Sequence, residues 1–303
     1  MANVNVYEMV TNRIIEQLNA GVIPWHKPWK CVGVKGAKID LSKVAFNRVT
    51  KQAYSMLNQM LLAEVGEYAS FKQWQEAGGH IKKGAKAEMV VFWKWLEILK
   101  TEEELQEGEV LGEAVKKIPY LKYNQVFHIS QVEGVKPLKL KAEEISVPEF
   151  DTDAEADSII NNYSLRERIS IRYGGDRAYY SPHADYIQVP MREQFGDNKA
   201  EFYSTLFHEI VHSTGAKHRL DRIQTTAHFG SEEYSKEELV AEIGASGMLN
   251  LLSIETPKSF NNSVAYVQSW IKALQNDVRM IVQASAKAEK SINFILNGKE
   301  AQA

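Results

Sequence analysis

Two histidines and a glutamate in the segment FYSTLFHEIVHSTG have the residue types and the spacing of a metal-dependent hydrolase. Apolar residues such as Phe202 and Leu206 recur there at helical intervals, so His208 and His212 should lie one turn apart on one face of a helix. Two imidazoles at that spacing bind one Zn²⁺ at about 2.0–2.1 Å each. The H-E-x-x-H pattern therefore predicts a site for zinc or another divalent transition metal, with Glu209 as the general base of a peptidase-type reaction.

The sequence offers two candidates for the third metal ligand. HEIVHSTGAKH also fits the pattern H-E-x-x-H-x-x-G-x-x-H, in which His218 returns to the metal after a turn at Gly215. The alternative lies in SKEELVAEIGASGMLNLL, where Ser235 would cap a second helix and Glu238 would bind the metal. One turn further on, Glu242 would accept a hydrogen bond from the far nitrogen of a ligand histidine. We favour Glu238 over His218, and Glu242 as a support for a ligand.

The elements around this pattern predict an α+β protein of two domains. An N-terminal mixed α/β domain (residues 1–141) contains an amphipathic opening helix, the strand MVVFWKW and an acidic, exposed insertion at about 97–118. A polar linker follows at 142–157. Residues 158–303 then form a mainly helical domain with a small antiparallel sheet, in which ISIRYGG and RAYY suggest a hairpin through Gly174 and Gly175. Tyr179, Tyr180 and His183 precede its edge strand and are candidate oxyanion donors.

Composition excludes several protein classes. The hydrophobic content of 44% and the charged content of 25% are those of an ordinary globular protein. The single cysteine, Cys31, cannot form an internal disulfide, and no stretch reaches the roughly 18 apolar residues of a membrane helix. We therefore expect a cytoplasmic protein with no membrane partner. The net charge of -3 hides an N-terminal excess, since residues 1–95 hold 13 Lys and Arg against 7 Asp and Glu.

That positive charge, together with tryptophans, predicts a partner in single-stranded DNA for the first domain. Proteins that bind single strands combine cations for the phosphates with aromatic faces on which bases stack. The candidate DNA-binding residues are Trp25, Trp29, Lys30, Arg48, Trp74, Lys82, Lys83 and Lys86. The alternative for the tryptophans is structural: the pair in IPWHKPW could pin a loop, and one face of MVVFWKW, with Val91, Trp93 and Trp95, could be core.

Four segments together resemble the ArdC antirestriction proteins: IPWHKPW, GGDRAYYSPHADYIQVP, HEIVHSTG and EELVAEIGA. The resemblance covers nearly the whole chain. The first half of the ArdC family is similar to the N-terminal region of TraC-type primases, and the second half is similar to zincin-like metallopeptidases of the SprT and IrrE kind. The resemblance implies a protein of plasmids or mobile elements that binds single-stranded DNA and protects incoming conjugative DNA from restriction, with His208, Glu209, His212 and Glu238 in the metal site.

Three functions remain open at this point. The first is an antirestriction protein whose zinc peptidase acts on a protein such as a restriction-system component. The second is a protein that masks DNA and keeps only a structural or vestigial metal site. The third is a protease that DNA localises to the proteins it must clear from that DNA. Metal content, catalysis and DNA binding of separate variants distinguish them.

Overall fold

A computed structural model gives the architecture of residues 5–27, 40–106, 110, 113–140, 152–223, 232–254 and 264–298. The first half contains helices α1 (Val6–Asn19), α2 (Met56–Leu61) and α3 (Phe71–Glu76) and strands β1 (Ala45–Asn47), β2 (Gly66–Ala69), β3 (His80–Ile81), β4 (Glu88–Leu99), β5 (Val115–His128) and β6 (Val132–Glu133). The second half contains helices α4 (Thr152–Glu167), α5 (Lys199–Thr214), α6 (Glu232–Leu251), α7 (Val264–Asn276) and α8 (Met280–Asn297) and strands β7 (Ser170–Tyr173), β8 (Tyr179–Ser181) and β9 (Tyr186–Val189). The predicted α+β class is confirmed.

The N-terminal half is built around a sheet with the strand order β1-β2-β5-β4. Strands β1 and β2 pair in parallel, whereas β2–β5 and β4–β5 are antiparallel. The side chain of Asn58 on α2 fixes that helix to the sheet, since it accepts from the N–H of Val91 and donates to the C=O of Val91, both at 2.8 Å. The core side of β4 therefore lies at its beginning, where Val90 and Val91 are each 5% exposed.

Beyond Val91 the β4–β5 pair continues as an extended ribbon, which we define as residues 92–99 and 115–122. Within it Trp93 is opposite Leu121 and Trp95 is opposite Pro119. Trp93 is 46% exposed and Trp95 is 65% exposed, so these tryptophans are not core residues. The predicted acidic insertion at 97–118 is partly strand, because both ends of that segment lie in the ribbon.

The C-terminal half carries a three-stranded sheet with the order β7-β9-β8. The expected hairpin between β7 and β8 does not form. Strand β9 instead lies between them, parallel to β7 and antiparallel to β8. The sheet is therefore mixed and not wholly antiparallel as predicted. Two consecutive glycines with positive φ, Gly174 (134°) and Gly175 (73°), let the chain leave β7 without reversing directly onto it.

The two halves share one hydrophobic core. A single cluster of buried residues contains Val10 and Ile14 of α1 together with Ile281 of α8 and the apolar faces of α5 and α6. A hydrogen bond of 2.8 Å from the Thr11 hydroxyl to the C=O of Val278 also joins the halves. Residues 152–157 of the predicted linker lie in α4. The domain bounds given above stay a prediction.

No helix in the described ranges is both long and apolar enough to cross a lipid bilayer.

Candidate metal centre and nucleic-acid surface

Helix α5 carries the histidine pair. The side chain of Asn198 caps its first turn by accepting from the N–H of Glu201, and Phe202, Leu206 and Ile210 on its apolar face are buried. His208 and His212 consequently lie side by side, one turn apart. Their Nε2 atoms are 3.1 Å from each other.

Helix α6 brings a carboxylate to this pair. The Oε2 atom of Glu238 lies 3.4 Å from His208 Nε2, and its Oε1 atom lies 3.4 Å from His212 Nε2. These three side chains form the metal-ligating cluster found among the described residues, and we call it the metal triangle. Two ligand atoms that are about 2.0–2.1 Å from a tetrahedral zinc are roughly 3.3–3.4 Å apart. The donor set and its spacing therefore fit a small divalent cation.

A glycine on α6 permits the close approach of the two helices. A Cβ atom added to Gly244 would lie 2.8 Å from Cγ2 and 3.0 Å from Cγ1 of Val211, which follows Ile210 on α5. Such contacts are shorter than packed carbon atoms allow, so any larger residue would push the helices apart. Helix α6 begins at Glu232, which places Ser235 inside it and overturns the predicted cap at Ser235. Acidic residues at 232 and 233 favour this earlier start because they face the positive end of the helix dipole.

The carboxylate behind the metal triangle is Glu237, and not Glu242 as expected. Its Oε1 atom lies 3.2 Å from His212 Nδ1. Arg222 in turn holds Glu237 through two hydrogen bonds of 2.7 and 2.8 Å, donated by Nε and a terminal nitrogen. This chain of contacts fixes the ring of His212, and it directs Nε2 toward the triangle. The adjacent positions 237 and 238 point in directions about 100° apart on the helix, which separates their roles.

Glu242 is occupied elsewhere. It accepts a hydrogen bond of 3.3 Å from the indole N–H of Trp25 and another from the hydroxyl of Tyr266. Burial raises the pKa of Glu242, although those hydrogen bonds act in the opposite direction. Trp25 thus comes from the N-terminal half to cover α6 one turn beyond Glu238.

His218 does not join the metal triangle. Its Nε2 atom lies 3.4 Å from Oδ2 of Asp185, and its side chain is 60% exposed. Arg219 anchors the same carboxylate with hydrogen bonds of 2.8 and 2.9 Å. The loop after Gly215 is therefore held by Asp185, away from the helix face that carries His208.

Charges in the metal triangle depend on one another. Burial lowers the pKa of His212, but hydrogen bonds to Glu237 and Glu238 outweigh burial and raise that pKa to about 10. Burial alone would raise the pKa of Glu238, yet the two histidines hold it well below its ordinary value. The pKa of Glu237 is lowered likewise, by His212 and Arg222 acting against burial. The two carboxylates are thus balanced by the Arg222 guanidinium and by a protonated His212, whose proton a bound cation would replace.

A cavity of about 740 Å³ opens beside the metal triangle. Glu209 lines it and is itself only 8% exposed, so its carboxylate lies at the edge of a partly closed space. Tyr179, Tyr180 and His183, the predicted oxyanion donors, line the same cavity, and so does Tyr234. Burial and the charges of Glu238 and Glu209 raise the pKa of Tyr234 to about 12, which keeps its hydroxyl protonated at neutral pH.

The predicted DNA-binding tryptophans are buried where the structure describes them. Trp25 is 0% exposed, and Trp74 is 0% exposed and donates to the C=O of Phe127 at 2.9 Å. Arg48 pairs with Glu67 and lies 5.1 Å from the Trp74 ring centre, so it stabilises the fold. None of these three side chains offers a free face for a base.

Other DNA candidates are either exposed or outside the described part. Lys82, Lys83 and Lys86 are exposed around the turn at Gly84, and Lys82 donates to the C=O of Ser130 at 2.8 Å. Trp29 and Lys30 lie outside the described residues.

Two features of the structure, the role of Arg222 and the exposed tryptophans of the ribbon, were not predicted from the sequence. Arg222 is absent from the predicted site residues, but its side chain is 5% exposed and bonded to Glu237. The exposed aromatic face belongs to the ribbon, where Trp93 and Trp95 alternate with Lys94. The sequence MVVFWKW has apolar and aromatic residues on both faces of the strand, so it does not show which face another part of the chain covers.

Comparison with protein families divides the chain at the same two halves. Residues 4–127 match the family described as the N-terminal domain of anti-restriction factor ArdC. Residues 154–287 match the family described as zincin-like metallopeptidase.

Individual relatives cover the whole chain. A DNA primase named TraC from Escherichia coli is 36% identical over 98% of this chain, which spans only 27% of that relative. An uncharacterised protein, y4eC of Sinorhizobium fredii (strain NBRC 101917 / NGR234), is 30% identical over 96% of this chain and 91% of its own length.

Two solved structures of the antirestriction protein ArdC from the R388 plasmid are also similar to this chain. The metal-free structure has a TM-score of 0.68 and 32% identity, and covers 97% of this chain and 98% of that one. The Mn(II)-bound structure has a TM-score of 0.70 and 30% identity, and covers 99% of both chains.

Proposed function

The chain belongs to the ArdC family of antirestriction proteins, and from that premise we propose that it binds single-stranded DNA and protects incoming conjugative DNA from restriction. We propose that its second half is a zinc metallopeptidase acting on a protein such as a restriction-system component. The metal triangle carries this proposal, because an oxygen of Glu238 lies 3.4 Å from the Nε2 atom of each histidine, the two Nε2 atoms are 3.1 Å apart, and Glu209 lines the adjoining cavity.

His208, His212 and Glu238 are the proposed ligands. A divalent metal held there would polarise the substrate carbonyl and make a water molecule more acidic. Glu209 lines the cavity and would take the proton from the attacking water and deliver it to the leaving amine. Tyr234 lines the same cavity, and its hydroxyl, which hydrogen-bonds Glu238, would donate to the substrate oxygen as negative charge develops there.

The R388 relative supports a chemical role for the metal over a structural one. That protein was solved both metal-free and with Mn(II), and this chain resembles the two structures almost equally, with TM-scores of 0.68 and 0.70. A fold that forms without the ion does not depend on the ion. In this chain the shared hydrophobic core and the Arg222–Glu237 pair would hold the same positions in the absence of metal.

The ribbon is the proposed surface for single-stranded DNA. Trp93 and Trp95 are exposed on one face of the ribbon, and Lys94 and Lys122 are exposed on the opposite face. Exposed aromatic rings stack on bases of any sequence, while lysines neutralise phosphates. The lysines at positions 82, 83 and 86 remain proposed phosphate contacts at the neighbouring turn.

A second function, DNA masking without proteolysis, is favoured by the same ribbon, because its exposed rings require no metal to bind DNA. Protection of incoming DNA in a restricting host separates the two functions. We expect Glu209→Gln and the double variant Trp93→Ala, Trp95→Ala each to lose protection, whereas the exposed control His218→Ala keeps it. Full protection by Glu209→Gln, with loss in the tryptophan variant, would establish masking and reject the peptidase.

A further inference from the structure

A second cavity, of about 440 Å³, lies where the two halves meet. Its walls come from the segment 47–58, from the beginning of the β4–β5 pair and from α8. Among the described residues it shares no lining residue with the cavity at the metal triangle, so the two cavities are separate.

Two polar groups in this cavity lack satisfactory partners. The hydroxyl of Tyr54 is buried without a well-formed hydrogen bond, although Asn47 lies near enough to influence its pKa. Burial raises the pKa of Tyr54 to about 12, so the hydroxyl is a donor at neutral pH. The carboxyl of Glu289 has no ion pair or side-chain hydrogen bond within the described ranges, and burial raises its pKa to about 7. Burying a carboxyl group and a hydroxyl group without hydrogen-bond partners lowers the free energy of unfolding.

Three aromatic residues, Tyr54, Phe92 and Trp93, contribute to the wall together with aliphatic ones such as Leu57 and Val282. Trp93 extends from the cavity to the exposed face of the ribbon. An apolar, partly aromatic wall suits a flat, partly polar ligand that can also reach the two polar groups.

The charges decide which part of a nucleic acid can enter. Among the described residues no lysine or arginine lines the cavity, and an ionised Glu289 would repel a phosphate. An exposed lysine, Lys51, stands outside it beside the lining residues Thr50 and Gln52. The sugar-phosphate chain would therefore stay outside on this lysine while a base enters.

We propose that this cavity binds one base of a single-stranded DNA, and that Glu289 selects a base with an exocyclic amine, such as cytosine, over thymine. The inference rests on the proposed single-stranded DNA function. An ionised carboxylate accepts a hydrogen bond from the amine of cytosine, whereas the carbonyl oxygen that thymine offers at that position repels it. The Tyr54 hydroxyl would donate to a base carbonyl, which both pyrimidines possess.

Binding of the oligonucleotides dC12 and dT12 to the full chain tests the proposal. Wild type should bind dC12 about 5- to 10-fold more tightly than dT12, as one hydrogen bond predicts. In Glu289→Leu this ratio should fall to about 1 through a loss of dC12 binding alone. The control Glu155→Leu, which removes an exposed acid of α4, should keep the ratio.

Tyr54→Phe removes a single oxygen atom and so guards against misfolding. It should weaken both oligonucleotides by about 3- to 5-fold, the contribution of one neutral hydrogen bond. A wild type that binds both oligonucleotides equally, or a Glu289→Leu variant that weakens both equally, would overturn the base site and leave the DNA function standing. A wild type that binds neither would overturn the DNA function itself. Binding of free dCMP with the affinity of dC12 would reassign the cavity to a mononucleotide and also overturn the proposal.

Discussion

The metal triangle and the proposed DNA surface differ in how far along the chain their parts are separated. His208 and His212 are four residues apart on one helix, which places both side chains on one face, and their Nε2 atoms are 3.1 Å apart. The aromatic residues of the first half depend on which surfaces the second half covers. Trp25 looks like a DNA contact in the sequence, but it is buried against Glu242 of α6. A short-range pattern specifies chemistry, while exposure is a property of the whole fold.

Removing a ligand should break the metal triangle most completely. We expect Glu238→Ala to weaken metal binding by more than about 100-fold, beyond the range typical of residues that only support a ligand. His218→Ala should change it little, because His218 pairs with Asp185. Metal content after dialysis and titration with Zn²⁺ measure both. The reverse result, with zinc lost only from His218→Ala, would restore the three-histidine pattern.

Weakening the support behind a ligand should have a smaller effect. Glu237→Gln keeps the shape of the side chain but loses the charge that faces His212 Nδ1 and Arg222, so metal affinity should fall by about 10- to 100-fold. Glu233→Gln, an exposed change on the same helix, is the matched control. Zinc competition assays measure the difference, and unchanged affinity in Glu237→Gln would mean that Glu237 does not support His212.

The ribbon offers the corresponding test of the DNA half. Trp95→Ala removes a ring that is 65% exposed, so it should cost single-stranded DNA binding about 1 kcal/mol, or roughly 5-fold, without changing the melting temperature. Trp74→Ala should instead destabilise the fold, because Trp74 is buried. Oligonucleotide titration and thermal unfolding separate the two. Normal DNA binding by Trp95→Ala would remove this ring from the DNA surface.

The smallest expected effect concerns Glu289 in the absence of DNA. Burial raises the pKa of Glu289 to about 7, above its ordinary value, so the folded state holds the proton more tightly than the unfolded state does. The contribution of Glu289 to the free energy of unfolding therefore falls as pH rises from about 4.5 to 7. Glu289→Gln should therefore be more stable than wild type at pH 8 by about 1 kcal/mol, and equal to it at pH 4.5. The full pKa shift corresponds to a stability difference of roughly 3 kcal/mol, and we expect less because the Glu289 side chain is partly exposed to solvent.

Chemical unfolding at both pH values measures that difference. Glu155→Gln, an exposed acid of α4, should show no dependence of this kind. A destabilised Glu289→Gln at pH 8 would mean that the carboxylate is paired in the folded protein.

Several parts of the structure could be predicted from the sequence because their causes are local. Apolar periodicity placed α1 and α5, and the histidine spacing and the choice of Glu238 agree with the geometry of the metal triangle. The chosen support for His212 was wrong because two carboxylates, Glu237 and Glu242, both lie within a turn of Glu238. Which one meets His212 is decided by Arg222 and Trp25, far away in the chain.

The remaining errors have the same origin. Strand β9 lies between β7 and β8, an order that no segment of the sequence specifies by itself. The exposure of Trp93 and Trp95 likewise depends on where α2 stops covering the sheet, which is set by the hydrogen bonds between Asn58 and Val91. Long-range packing decided these features.

The hydrogen bond from Trp25 to Glu242 limits how the two halves of the chain can be separated. Cutting the chain between its halves would strip the indole from a buried carboxylate and expose the apolar side of α6 to water. Recombination that separated the halves would therefore deliver two damaged pieces. The long primase relative contains the counterpart of 98% of this chain as one block. The two halves of this protein therefore depend on each other for burial, and the hydrogen bond from Trp25 to Glu242 is one of the contacts that join them.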